Sequence, residues 1–232
     1  MTDEVVVERR GAAGDPEHAI RIEVGAFGPW ETNAYLVWDG RSDEALVIDP
    51  GMDAAAALMA RAAANGLRIH LIANSHGHID HIIDNAALKV ASGAPLAIHP
   101  DDAYRLSGEN IYDLQVESSV AEQDLREGDS LAIGGLRFGV WHTPGHTEGS
   151  VCLYEANRGL LLAGDVLFRG SYGRTDLPGG DDAQMVASLS RLLRDIPADA
   201  RVLPGHGGET TIGREAGWLE RVARTGRLTF RG

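Results

Sequence analysis

The chain has 232 residues, 44% hydrophobic and 24% charged, enough for a well-buried core in one α/β domain or two small ones. A formal charge of −13 argues against nucleic acid or an anionic membrane surface as the main partner. No apolar stretch reaches the roughly 18 residues of a membrane span, and Cys152, the only cysteine, excludes an intrachain disulfide.

Residues 1–18 are polar, end in "GAAGDPEH" and lack a signal-peptide core, so they read as a loose or edge segment of a cytoplasmic protein. Residues 19–232 read as one compact domain, with no Pro/Ser linker, low-complexity run or solenoid period. Three β-type runs open it: "AIRIEV", "AYLVW" and "ALVID". The alanine-rich "MDAAAALMARAAANG" predicts a helix stopped at Asn65-Gly66. "RIHLIA" is a nearly continuous apolar strand, which predicts cover on both faces. "IIDNAALKVASG" predicts one helix, "PLAIH" a strand, and Asp101 the start of a short helix. "SGENIYDLQVES", residues 107–118, is polar around Ile111, Tyr112 and Leu114 and reads as a loop, here taken as a flap. "SLAIGGLRFGVWHT" predicts a hairpin around Gly134-Gly135. "SVCLYE" and "GLLLAGD" are further strands, and Cys152 in the first reads as a buried, inert thiol. "DDAQMVASLSRLLRD" carries Met185, Leu189, Leu192 and Leu193 at helical spacing. "RVLPG" is a last strand and "IGREAGWLERVARTG" a last helix. Strands come in two batches, each followed by helices, which predicts two sheets faced by helices.

Chemistry-bearing residues recur where apolar strands end. "HLIAN" runs into "SHGHIDH", "RFGVWHTP" into Gly145-His146, "LLLAG" into Asp165 and "RVLPG" into His206. In α/β folds, sites gather at the carboxyl ends of strands. Imidazole and carboxylate together suit zinc, iron or manganese, and thiolate ligands are absent. His76 and His78, two apart, share a side on extended chain, and Gly77 between them permits a tight bend. Five histidines and two carboxylates exceed the four ligands of one tetrahedral zinc. Two metals roughly 3.5–4 Å apart would use them all, with one carboxylate bridging. A lone histidine at a strand end is ordinarily solvated or hydrogen-bonded, and His18, His70, His99 and His142 are assigned to that class.

"HGHIDH", "TPGHTEGS", "GD" and "PGHG", in that order, resemble the metallo-β-lactamase-fold hydrolases, and the likeness runs from "TNAYLV" and "VIDPG" through "PGHG". The resemblance implies an αββα sandwich of two mixed β-sheets flanked by helices. By position it implies that His76, His78 and His146 hold a first metal. Asp80, His81 and His206 would hold a second, and Asp165 would bridge. Asp49 in "VIDPG" matches a motif that braces the histidine loop. "GDVLFRGSYGRTDLPGGD" is most similar to the glyoxalase II-like and persulfide-dioxygenase branch, and "GETTIG" to compact glyoxalase II-like bacterial members. Larger glyoxalase II enzymes carry a C-terminal helical domain with basic residues for glutathione. Here only "GETTIGREAGWLERVARTGRLTFRG" follows "PGHG", which leaves the thiol carrier open.

The function implied is hydrolysis of a hydroxyacyl thioester of a small thiol by a metal-bound hydroxide, with two divalent ions, zinc first and iron or manganese as alternatives. Asp80 would orient the hydroxide as well as ligate. Arg174 would bind a carboxylate of the thiol carrier, and Tyr112 would contact the acyl part. The runner-up is a persulfide dioxygenase-like oxidoreductase with one iron on His76 or His78, His146 and Asp165. Lactonase, β-lactamase and non-catalytic metal binding rank below. A small-molecule substrate is expected, with neither nucleic acid nor membrane as partner, and a homodimer is compatible with the sequence.

Overall fold

The structure is a computed structural model describing residues 6–9, 20–107 and 116–228. His18 and the flap residues Ile111, Tyr112 and Leu114 lie outside the described residues. Seven strands form the first sheet in chain order: β1 (Val6–Arg9), β2 (Arg21–Phe27), β3 (Thr32–Trp38), β4 (Glu44–Ile48), β5 (Arg68–Ala73), β6 (Leu96–Ile98) and β7 (Gln123–Asp124). Strands β1 to β4 pair antiparallel; β4 to β7 pair parallel. The connection from β4 to β5 is α1 (Ala54–Ala64). Between β5 and β6 come α2 (Ile79–Ile82) and α3 (Asn85–Ser92). The second sheet holds β8 (Ser130–Ile133), β9 (Leu136–His142), β10 (Val151–Glu155), β11 (Leu160–Gly164), β12 (Arg201–Pro204) and β13 (Thr210–Thr211), in the order β13-β12-β11-β10-β9-β8. Only β11 and β12 are parallel there, joined through α4 (Asp182–Asp195); α5 (Ile212–Thr225) follows β13.

Side-chain alternation along the strands sorts the core into three layers. Tyr35 and Val37 of β3 face inward, with Ile48, Phe138, Val140 and Leu162 in the layer between the sheets. Ala34, Leu36 and Trp38 of the same strand face outward, onto Leu58 of α1 and Leu88 of α3. On the other sheet, Cys152, Leu161 and Ala163 meet Met185 and Leu189 of α4 and Leu219 and Val222 of α5. The molecule is thus the expected αββα sandwich of two mixed sheets. Local signals support it. Asp181 accepts from the N–H of Gln184 and Thr211 from that of Arg214, capping α4 and α5.

One expectation changes and another is met. The helix expected over 82–93 is instead α2 and α3, separated at Ile83-Asp84, where the Asp84 carboxylate accepts the N–H of Ala55 at 2.9 Å. The short helix expected from Asp101 is present as a 3-10 helix, Pro100–Ser107. Among the described residues no helix is long and apolar enough to cross a membrane.

Candidate metal centre

The histidine loop leaves β5 at Ala73 and is closed by side-chain amides. Asn74 Nδ2 donates to the carbonyl of His81 at 3.1 Å, and Asn85 Nδ2 donates to Asn74 Oδ1 at 2.8 Å. His78 is extended and stands at the N-cap position of α2, so Asp80 and His81 fall in that single turn. Gly77 is not in the left-handed region; it is needed for close packing, because a Cβ there would lie 2.6 Å from Arg105 Cδ. The tight-bend reason expected for this glycine is therefore replaced by a packing one.

The second sheet supplies the remaining residues. Asp165 follows β11 directly, and His146 follows β9 through Thr143-Pro144-Gly145. His206, just past β12, is caught by the start of β3. Thr32 bridges to it, the Asn33 N–H donates to Gly205 O at 2.8 Å, and Asn33 Nδ2 donates to Pro204 O and Gly207 O.

These residues converge in overlapping groups whose ligand atoms lie within 4.8 Å of one another: His76, His78 and His146; Asp80, His81 and His206; and His76, His81 and Asp165. In the first group the ring planes meet at 86°, 75° and 89°, three nearly perpendicular imidazoles around one point. His78 Nδ1 and His146 Nε2 are 2.8 Å apart. In the second, Asp80 Oδ2 is 3.3 Å from His81 Nε2 and 3.2 Å from His206 Nε2. Asp165 reaches both groups: Oδ1 is 3.4 Å from His81 Nε2, and Oδ2 is 3.4 Å from His146 Nε2 and 3.5 Å from His206 Nε2.

The far ring nitrogens of His76, His146 and His206 have partners that fix the orientation of those rings. His146 Nδ1 donates to Arg174 O at 2.7 Å and His206 Nδ1 to Trp30 O at 3.0 Å. His76 Nδ1 is 3.0 Å from Ser75 Oγ, whose hydroxyl donates to Asp49 Oδ2 at 2.7 Å, so His76 Nδ1 carries the proton. Asp49 also accepts the Ser75 N–H at 2.7 Å, and its Oδ2 is 3.1 Å from His81 Nδ1. Thr32 Oγ1 donates to Asp80 Oδ2 at 3.0 Å. Nε2 of His76, His81, His146 and His206 is thus the atom turned to the cluster, and His78 alone offers Nδ1.

Charge divides the cluster. Burial keeps His76 and His146 neutral and pushes His78 down to about 3. Burial also opposes charge on the other group, but mutual attraction outweighs it. Asp80 and Asp165 are held well below the carboxylate range by His81 and His206. Their charges raise His81 well above its ordinary value and carry His206 to about 10.

Three buried atoms of the cluster lack a hydrogen-bond partner; His81 Nδ1 faces Asp49, and the other two test whether this arrangement suits a metal. His76 Nε2 and Asp165 Oδ1 have no hydrogen-bond partner, a costly state for buried acceptors unless a cation takes the lone pairs. The donor set, imidazole nitrogen with carboxylate oxygen, fits zinc, iron or manganese. A contrast lies nearby. His99, Asp101 and His142 also come within 4.8 Å, but the His99 and His142 rings stack at 9° with centroids 4.1 Å apart. Their in-plane lone pairs run parallel and do not converge. His70, a further histidine outside the cluster, lies 3.3 Å from Glu44. Cys152 is buried, and desolvation pushes its thiol up to about 12.

Of the predicted substrate-binding residues, Arg174 turns its side chain away from the cluster. The guanidinium of Arg174 is exposed and pairs with Asp176 through two contacts of 2.6 and 2.8 Å, while its carbonyl holds His146. Tyr112 lies outside the described residues. Several partners escape the sequence reading: the Arg174 and Trp30 carbonyls, Ser75, Thr32 and Asn33. A carbonyl has no sequence signal. Thr32 and Asn33 stand in "TNAYLV", a stretch recognisable as a motif without an evident role.

Facing sheets with helices outside, and a histidine–aspartate cluster where strands of both sheets end, define an αββα protein built to hold divalent metal ions. A family model described as Metallo-beta-lactamase superfamily matches residues 27–206, and the chain belongs to that superfamily. An uncharacterized protein of Aquifex aeolicus is 40% identical over 199 residues, covering 84% of this chain and 93% of its own. The hydroxyacylglutathione hydrolase GloC of Haemophilus influenzae is 30% identical over 213 residues, covering 84% and 95%. Among solved structures, the BLEG-1 B3 metallo-beta-lactamase superposes with a TM-score of 0.79 at 34% identity, covering 85% of this chain and 99% of its own. TTHA1623 in a di-iron-bound form gives 0.74 at 39% identity, with 82% and 95% covered. ETHE1 from Myxococcus xanthus gives 0.75 at 28% identity, with 88% and 84% covered.

Proposed function

We propose that the chain is a two-metal hydrolase acting on a hydroxyacyl thioester of a small thiol. The observation that carries the two-metal reading is Asp165, whose two oxygens reach into both ligand groups. His76, His78 and His146 would hold one ion, Asp80, His81 and His206 the other, and Asp165 would join them. Bound there, divalent ions supply Lewis acidity and lower the pKa of water towards neutrality. Zinc is the first choice; likeness to a di-iron-bound protein supports iron as the alternative.

The protein's own groups do the rest. Asp80 stays ionised, is oriented by Thr32 and would align the attacking oxygen by accepting a hydrogen bond from it. The carbonyl anchors on His146 and His206 keep those rings from turning as charge develops. Arg174 would exchange its exposed partner Asp176 for a substrate carboxylate, a bidentate pairing that suits guanidinium. Tyr112 would lie against the acyl group. A thiolate leaving group needs little protonation, so the assignment names no general acid. Likeness to GloC supports the thioester class. Small-molecule chemistry in the cytoplasm is part of the same reading.

The second reading is oxidation of a persulfide by dioxygen at one iron on His76 or His78, His146 and Asp165; it draws on the iron of the di-iron-bound neighbour, whose two ions match the metal count of the first reading. Metal analysis of protein purified without added metal, beside oxygen uptake with a persulfide, separates the two. Two zinc ions, thioester turnover and no uptake support hydrolysis. One iron with uptake overturns it.

A further inference from the structure

Asp102 sits on the Pro100–Ser107 turn with its carboxylate fully buried. Its Oδ2 accepts the N–H of Gly77 and the hydroxyl of Thr147, each at 2.7 Å, and its Oδ1 accepts the N–H of Gly149 at 3.0 Å. Gly77 lies between His76 and His78, and Thr147 follows His146. One carboxylate therefore ties together the two loops that carry the three-histidine group, and none of these bonds goes to Asp80, His81 or His206.

The residue type is informative. A position that only filled the core would be apolar, because burying a carboxylate is costly unless it is well bonded. Here three donors satisfy it, and Arg105 Nε adds positive charge at 3.5 Å. Arg105 also donates to Glu148 at 2.8 Å and to Pro178 O at 2.9 Å, so the same turn grips the His146 loop a second time. Main-chain N–H groups of Gly77 and Gly149 can only donate. An amide at position 102 would set an NH2 against one of them. The other group has separate anchors, in Thr32 on Asp80 and Asn33 beside His206.

We infer that Asp102 is a positioning residue that sets the spacing of His76, His78 and His146, and with it the affinity of that group for its metal. The inference rests on the two-metal reading above. Metal-free full-length protein is titrated with Zn2+ against a chromophoric chelator. The wild type is expected to bind two ions. Asp102→Asn should keep one at wild-type affinity and bind the other at least about tenfold more weakly, the scale found when a partner that orients ligands is removed. Combined with His206→Ala, it should weaken the remaining ion by a similar factor; combined with His146→Ala, it should change nothing. A merely structural role would lower thermal stability and leave the ratio of the two affinities unchanged. Wild-type affinity for both ions in Asp102→Asn, or an equal fall in both, overturns the clamp and leaves the two-metal reading standing. A wild type that binds no zinc overturns both. If Asp102→Asn does not fold, Thr147→Val removes the hydroxyl bond to Asp102, together with the 2.8 Å contact to Ser150 Oγ, and keeps the carboxylate. It should show a smaller fall confined to the same ion, and unchanged affinities would overturn the clamp.

Discussion

His146 Nδ1 lies 2.7 Å from the carbonyl oxygen of Arg174, so the main chain and not the guanidinium holds this ring. Arg174→Ala keeps that carbonyl and should leave folding and metal content unchanged. If the side chain binds a carrier carboxylate, KM should rise for a carboxylate-bearing thioester, by at most about 3 kcal/mol of apparent binding. A small neutral thioester should be turned over almost as before. Equal loss on both substrates would place Arg174 in support of the centre instead.

One position earlier the opposite outcome is expected. A Cβ on Gly173 would fall 2.0 Å from the carbonyl oxygen of Asp165 and 2.8 Å from His146 Nδ1. Gly173→Ala must push one of them aside. Metal content and thermal unfolding should both drop, and a variant with full metal content would show that the loop yields freely.

Asp165→Asn removes a charge with little change in volume. The folded protein should persist, with metal and turnover lost, because His81, His146 and His206 all face this carboxylate. Normal metal content and turnover in this variant would end the two-metal assignment.

His99 offers a pH test away from the centre. It is buried against His142, and desolvation, helped by that neighbour, lowers its pKa below the ordinary 6.5. The unfolded chain then takes up a proton that the folded chain resists. This contribution is complete above the unfolded value and is lost as pH falls through it toward the folded one. Stability measured by urea unfolding should fall from about pH 7.5 to about pH 5.5, and His99→Asn should flatten that fall. An unchanged slope in the variant would assign the dependence to other groups.

Cys152 should be silent in the native protein. Its thiol, pushed up to about 12 by burial, should not react with a disulfide reagent near neutral pH. One equivalent should react after denaturation. Fast labelling of folded protein would show that the sheet–helix layer around it opens readily.

Much of the sandwich is legible in the sequence because its strands are apolar runs with clear stops. β7 and β13 are not, since two residues such as Gln123-Asp124 carry no periodicity. The break between α2 and α3 is invisible for another reason: its partner, the Ala55 N–H, is distant in sequence. The cluster shows itself by residue type at strand ends. The atoms that orient it are harder to see, because every residue has a carbonyl and nothing in "RGSYGRTD" says that the one at Arg174 meets an imidazole. Gly77 illustrates a right residue with a wrong reason: its lack of a side chain makes room for Arg105 rather than for a bend.

The ligand-type residues are divided between the sheets. His76, His78, Asp80 and His81 follow β5 in one, while His146, Asp165 and His206 follow strands of the other. An ion held by both sets would rivet the two halves together, and each ligand group draws on both. Its affinity would then exist only once the halves have docked, late in folding, where metal adds to the native state more than to the transition state. Stabilisation of that kind slows unfolding and leaves the folding rate almost untouched. Metal would thereby set how long the folded molecule persists as well as what it can catalyse.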